Sequence, residues 1–170
     1  PAELFVDNEP QTRARWPNEG GVPIAEVIDP GSHPRSGDYR NFGGTIRIDD
    51  DRLDRWLQAD QMFVHGFYYY GYANDNLTVK SIDPAGNTIT FNEPHHYGIQ
   101  NVESWNRIYV FNLLEEIDRP GEYFLDINTG KLYWYPDRPP AGAKIQVSLM
   151  DEPLFALEGV SHVTVSRFTF

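Results

Sequence analysis

The sequence predicts an all-β chain folded as an antiparallel β-sandwich or barrel, and three observations carry that prediction. Tyr 10, Phe 10 and Trp 4 make 14% of the 170 residues, and these side chains fit a pleated, half-buried surface. Pro 13 and Gly 14 are scattered along the chain, not gathered in one linker. Turn signals recur roughly every eight to twelve residues between short apolar segments, the spacing of stacked or closed antiparallel sheets.

Each element follows in order. "ELFVDNEPQTRARW" reads as two short strands around Asp7-Asn8-Glu9-Pro10, residues with turn chemistry. Pro17 and Gly20-Gly21 end the strand that carries Trp16. "VPIAEVID" is a strand, "PGSHPRSGDYRNFGG" a loop too rich in Pro and Gly for regular structure, and "TIRIDD" an alternating strand. Leu53, Trp56 and Leu57 fall on one helical face, which predicts a short helix over 52–58 with Asp51 as its cap. "MFVHGFYYYGY" is a strand, with a turn expected at Asn74-Asp75-Asn76. "LTVKSID" and "TITFN" form a hairpin around "PAGN". "EPHHYGIQNVESWN" is a loop and "RIYVFN" a strand. "LLEEID" makes a second short helical turn, with Asn112 as its cap. "EYFLDI" and "KLYWYP" pair across "NTG", and "AKIQVSL" and "PLFALEG" are further strands.

The aromatic run 63–72 is the densest feature. On a strand, side chains alternate between faces. Phe63, His65, Phe67, Tyr69 and Gly71 then share one face, and Val64, Gly66, Tyr68, Tyr70 and Tyr72 the other. One face lines the core. The row Tyr68-Tyr70-Tyr72 is either a packed interface or a platform for sugar rings, since tyrosine is apolar in body and polar at its tip. Trp105, in the loop "NVESWN", is a further ligand candidate because loops carry function. Trp134 sits in "YWY", where the alternation turns at least one ring outward. Trp16 and Trp56 read as core.

The net charge of −11 argues against nucleic acid and against anionic membrane surfaces as partners. With Cys 0 there are no disulfides and no thiolate ligands. His95-His96 resembles half a metal site, but neighbours on extended backbone point apart, so no metal is expected. Asp49, Asp50, Asp51 and Asp54 read as helix capping and dipole placement, with calcium as the less favoured alternative. No other cofactor is expected. Glu122 and Asp126 share a strand face about 13 Å apart by strand rise, too far for a catalytic pair. Glu115, Glu116 and Asp118 read as a solvated turn. No nucleophile elbow, phosphate loop or dinucleotide fingerprint is present.

The ending "FALEGVSHVTVSRFTF" differs from what precedes it. Val160, Val163, Val165, Phe168 and Phe170 form short apolar steps like a rung of a parallel β-helix, and one rung cannot bury its own apolar face. This predicts a division into 1–153, a sandwich or barrel domain, and 154–170, the start of a β-helix that continues past Phe170.

Taken in order, "ELFVDNEPQTRARWPNEG", "NLLEEIDRPGEYFLDINTGKLYWYP" and "LEGVSHVTVSRFTF" resemble the N-terminal part of right-handed parallel β-helix proteins. These are the glycoside-hydrolase-like ones that carry a β-sandwich or barrel beside the helix. The chain departs from their pattern at "HGFYYYGY", where tryptophan is expected at one or two tyrosine positions. The resemblance is specific for architecture and weak for activity. It implies a non-catalytic accessory domain of a polysaccharide-processing enzyme, a glycoside hydrolase before a polysaccharide lyase. Its catalytic acids would lie past Phe170. Its partners would be the β-helix domain of the same chain and a polysaccharide or oligosaccharide, contacted through Trp105, Tyr68, Tyr70, Tyr72 and Trp134. The compartment would be extracellular or periplasmic, in a bacterium. The alternative is a purely structural or interaction domain with no ligand.

Overall fold

A computed structural model describes residues 2–150, 152, 153 and 155–167. It is all-β. The strands are β1 Leu4–Val6, β2 Glu9–Pro10, β3 Thr12–Arg13, β4 Arg15–Trp16, β5 Val22–Pro23, β6 Glu26–Asp29, β7 Thr45–Arg47 and β8 Phe63–Phe67. They continue with β9 Asn74–Asp83, β10 Thr88–Phe91, β11 Arg107–Phe111, β12 Glu122–Asp126, β13 Lys131–Trp134 and β14 Ile145–Val147.

Eight strands form the main sheet, in the order β4-β11-β8-β9-β10-β7-β6 with β5 also on β11. β5 and β6 are two ends of one stretch, 22–29. Its start pairs with β11 through Val22 and Pro23, and its end pairs with β7 through Glu26 and Val27. Between them the Ala25 N–H donates to the Arg47 carbonyl at 2.9 Å. One stretch therefore closes the sheet from both sides, the geometry of a barrel, and its edges are not left open. A Cβ on Gly21 would stand 2.8 Å from the Ile108 carbonyl oxygen, so glycine lets the stretch reach β11.

The enclosed core follows from alternation. Ile46 and Ile48, Val64 and Tyr68, Ile89 and Phe91, Ile108 and Val110 point inward from successive strands. Burial of such side chains is worth ~1.5–3 kcal/mol each relative to exposure. Leu53 and Trp56 plug one end of this core from a 3₁₀ turn, Arg52–Trp56. Two three-stranded sheets, β14-β1-β2 and β13-β12-β3, enclose a smaller cluster of Leu4, Val6 and Tyr123.

Several local expectations change. Both expected helices are single 3₁₀ turns, at Arg52–Trp56 and Leu114–Glu116, and a third forms at Pro34–Ser36 inside the Pro-rich loop. The Asp51 side chain makes no cap; the Arg52 N–H instead donates to Asp50 Oδ1 at 2.8 Å. Asn112 is no cap either, because its φ is 62° and its amide donates to the Gln61 carbonyl at 3.0 Å. Asn74–Asn76 lie inside β9, where cross-strand pairing with β8 overrides their turn preference. The residues 155–167 carry no strand, and the described apolar ones are exposed. A strand needs a neighbour to complete its ladder. Leu154 of "PLFALEG" and residues 168–170 of the final step lie outside the described residues.

Candidate functional site

β8 sets the site. Val64, Gly66 and Tyr68 face the core, and Phe63, His65 and Phe67 face outward. Gly66 is small because a Cβ there would lie 2.5 Å from Ile108 Cγ2 and 2.7 Å from the Arg107 carbonyl oxygen. The strand stops at Phe67, and the chain turns over 68–73 before β9 begins. That early stop splits the expected tyrosine row. Tyr68 keeps the inward phase and is fully buried, packed edge-on to Phe91 at 5.6 Å between ring centroids. Its hydroxyl donates to the Val64 carbonyl at 2.7 Å. Burial pushes this phenol well above its ordinary ionisation range. Tyr68 is therefore a core residue and cannot stack on a ligand.

Tyr70 and Tyr72 leave the strand phase and stand outside. Their rings are stacked at 5.2 Å and within 6° of parallel, and Tyr72 is 73% exposed. Tyr97 from the loop after β10 meets Tyr70 edge-on at 5.1 Å and Tyr72 at 6.4 Å. Tyr69 packs on Tyr70 at 4.5 Å. A cavity of about 300 Å³ opens here, lined by these four rings with His33, Arg35 and Ser36. The Tyr72 phenol is held above its ordinary value, first by partial desolvation and then by a hydrogen bond with Tyr97, while Arg35 opposes the shift.

The loop is tied down carbonyl by carbonyl. The Asn106 amide donates to the Phe67 oxygen at 2.6 Å and the Gln100 N–H to the Tyr68 oxygen at 2.8 Å. Trp105 Nε1–H donates to the Tyr69 oxygen at 2.9 Å and the Ala73 N–H to the Tyr70 oxygen at 3.1 Å. Four consecutive carbonyls thus have partners, which fixes the backbone that carries the rings. Trp105 also lies on Gly71, where a Cβ would stand 3.2 Å from the indole. Its surface is 39% exposed, so the same ring that clamps the loop borders the cluster.

Tyr97 is held from below. His95 is buried, and its Nδ1–H donates to the Gly98 carbonyl at 2.9 Å, closing the turn that presents Tyr97. Desolvation lowers its pKa, against the opposing pull of the Gly98 and Ala73 carbonyls and of Asp75. His95 and His96 therefore serve the loop: His96 is exposed and packs edge-on to Tyr97 at 4.9 Å.

The structure brings Tyr70, Tyr72 and Trp105 together and leaves Trp134 elsewhere. Trp134 lies on β13, packs against the smaller core, and donates from Nε1 to Gln11 Oε1 at 3.0 Å. Tyr69 and Tyr97 were not singled out by sequence. Tyr69 was assigned by alternation to the other face, and Tyr97 sits in a loop whose position only the fold supplies. Of the acids considered for catalysis, Glu116, Glu122 and Asp126 have structural work, whereas Glu115 Oε2 is buried without a hydrogen-bond partner among the described residues. Glu116, read as solvated, is fully buried and accepts from Arg52 at 2.7 and 3.2 Å and from Trp56 Nε1 at 2.7 Å. Glu122 accepts the Asp118 and Arg119 N–H groups at 2.9 and 2.8 Å. Asp126 is held down to about 2 by Thr129 and Gln61. Of the Asp49–Asp54 group, Asp49 pairs with Arg47 and Asp50 with the Arg52 backbone.

No family model and no curated protein matches the chain. A solved structure described as "Glycoside hydrolase" is similar over 84% of the chain at 17% identity, with a TM-score of 0.53. The chain spans 26% of that structure's length. At this identity the likeness speaks to the fold alone.

Proposed function

We propose that the chain is a non-catalytic accessory domain of a glycoside-hydrolase-type, polysaccharide-processing protein, secreted or periplasmic, and that it contacts glycan through Tyr70, Tyr72, Tyr97 and Trp105. One observation carries this reading: two parallel, exposed tyrosines on a loop whose first carbonyls, from Phe67 to Tyr70, are each tied down. Exposed aromatics cost solvation unless used, and a fixed loop loses little entropy on binding. A sugar ring would lay its C–H face on Tyr72 and take hydrogen bonds from phenol hydroxyls, Ser36 and Arg35. The fold shared with part of a glycoside hydrolase supports the same reading, as does the structural employment of Glu116, Glu122 and Asp126. We infer also that the domain packs against a β-helix domain, which the half-exposed Val160, Val163 and Val165 support.

Affinity electrophoresis in gels containing neutral polysaccharides tests the reading. Retardation by at least one glycan is expected. Tyr72→Ala should weaken it about tenfold, ~1.4 kcal/mol, with no change in melting temperature. Trp105→Phe should weaken it less, through a looser loop. Retardation that survives loss of both Tyr70 and Tyr72 would remove this surface from the function and leave a scaffold domain.

A further inference from the structure

The outward face of the barrel carries a second cavity, about 580 Å³, that the tyrosine cluster does not touch. Its floor is a cross-strand aromatic ladder. Phe63 on β8 opposes Phe111 on β11, and their rings stack at 5.3 Å and 21°. Tyr109 continues the ladder at 5.8 Å from Phe111. The walls hold Arg13, Arg15 and Tyr123.

Two arginines stand together here. Arg40, Arg47, Arg52, Arg55, Arg119 and Arg138 each lie within ion-pair distance of a carboxylate, whereas Arg13 and Arg15, like Arg35, Arg107 and Arg167, do not, among the described residues; what sets Arg13 and Arg15 apart is that both line one cavity. In a chain with a net charge of −11 the lack of an ion pair is not for want of acids. Both guanidiniums are held by neutral groups instead. Arg15 lies 3.5 Å over the Tyr109 ring and donates from Nε to the Pro17 carbonyl at 2.9 Å and from Nη2 to the Gly20 carbonyl. Arg13 donates from Nε to the Tyr123 hydroxyl at 3.3 Å and from Nη2 to the Ala2 carbonyl at 2.6 Å. On each, Nη1 has no hydrogen-bond partner among the described residues. Desolvation lowers the Arg15 pKa, against the opposing pull of Tyr109 and Glu122. Glu3 also lines the cavity, and no ion pair joins it to either arginine.

An apolar floor beside two fixed guanidinium edges that make no ion pair suits a ligand that is apolar on one face and anionic at its rim. Arginine favours carboxylate for its planar, two-point geometry. We propose that this groove binds a carboxylated sugar, a uronic acid unit, with its ring against Phe63 and Phe111 and its carboxylate on Arg13 and Arg15. The site is separate from the tyrosine cluster and does not depend on it.

Calorimetric titration of the 170-residue chain with trigalacturonate, and with the same trisaccharide after reduction of its carboxyl groups, tests the proposal on unmodified protein. Binding of the acid form, weakened at least about tenfold by carboxyl reduction and further reduced as salt is raised, is the expected result. Phe63→Ala and Arg13→Gln should each weaken it similarly, while Tyr70→Ala and Tyr72→Ala leave it unchanged and weaken only retardation by neutral glycan. No binding of the acid form, or equal binding of the reduced form, overturns the proposal. So does binding of poly-glutamate in place of the uronate, which would make the groove a dock for acidic protein.

Discussion

At the scale of single residues, buried polar groups decide more than their number suggests. Glu116 sits among Arg52, Arg55 and Trp56, accepting two guanidinium bonds and one indole bond while fully buried. Removing one partner from such a set leaves the others desolvated and unpaired, which is costlier than never having built the set. Glu116→Ala should therefore lower unfolding free energy by about 3 kcal/mol, read by urea denaturation, with Glu116→Gln losing less because it still accepts one bond. His95 gives a pH dependence whose sign follows from its surroundings. Its folded pKa lies below its ordinary value of 6.5 because burial disfavours the imidazolium. The stability linked to the neutral ring is present above that value and is lost as pH falls through it toward the lower folded value. Melting temperature should fall between about pH 7 and pH 5, and His95→Gln should flatten that slope. Glycan retardation should weaken in the same window, since the same turn presents Tyr97.

At the scale of elements, the sequence pattern gave away strand existence far better than strand ends. The sequence places strands at "MFVHGFYYYGY", "TITFN", "RIYVFN" and the hairpin "EYFLDI"–"KLYWYP", and each stretch holds one, at Phe63–Phe67, Thr88–Phe91, Arg107–Phe111 and Glu122–Asp126 with Lys131–Trp134. The first hairpin turn was legible because Asp7 and Asn8 tolerate positive φ, and both adopt it, at 51° and 67°. What alternation could not show is where β8 stops. Nothing in "FYYYGY" separates a residue that turns inward from one that turns out, and the stop comes from distant partners, Gln100 and Asn106, that seize the Phe67 and Tyr68 carbonyls. Hence alternation puts Tyr68 in one row with Tyr70 and Tyr72, whereas the fold buries Tyr68, leaves Tyr70, Tyr72 and Trp105 at the surface, and sets Tyr97 beside Tyr70 and Tyr72. Gly66 is the hinge of that geometry, since β8 and β11 approach too closely for a side chain. Gly66→Ala should force the strands apart and lower stability by about 1–3 kcal/mol, measured by thermal denaturation, and should disturb both aromatic surfaces together because β8 carries one and leads into the other.

At the scale of the whole molecule, closure is what makes 170 residues of short strands hold together. No strand is longer than the ten residues of β9, and most have two to five, so no hairpin here would be stable alone. Curling the main sheet until 22–29 joins both of its sides buries one continuous core, and β14 pairing with β1 pins the C-terminal end of the fold to its beginning. The same end is tied again where the Ser148 N–H donates to the Glu3 carbonyl at 2.9 Å. Past it, the described residues 155–167 are exposed and hold no strand, and Val160, Val163 and Val165 repeat a half-exposed apolar step. If 1–153 is the folding unit, it owes those residues almost nothing. A chain ending at Pro153 should then unfold in one cooperative step, with a melting temperature within about 2 °C of the 170-residue chain and undiminished glycan retardation. Ending the chain at Gly142 should behave differently, because it removes β14 and uncovers Leu4 and Val6. A large loss of stability on removing only 154–170 would mean that the tail packs on the barrel, and the boundary at 153 would have to move.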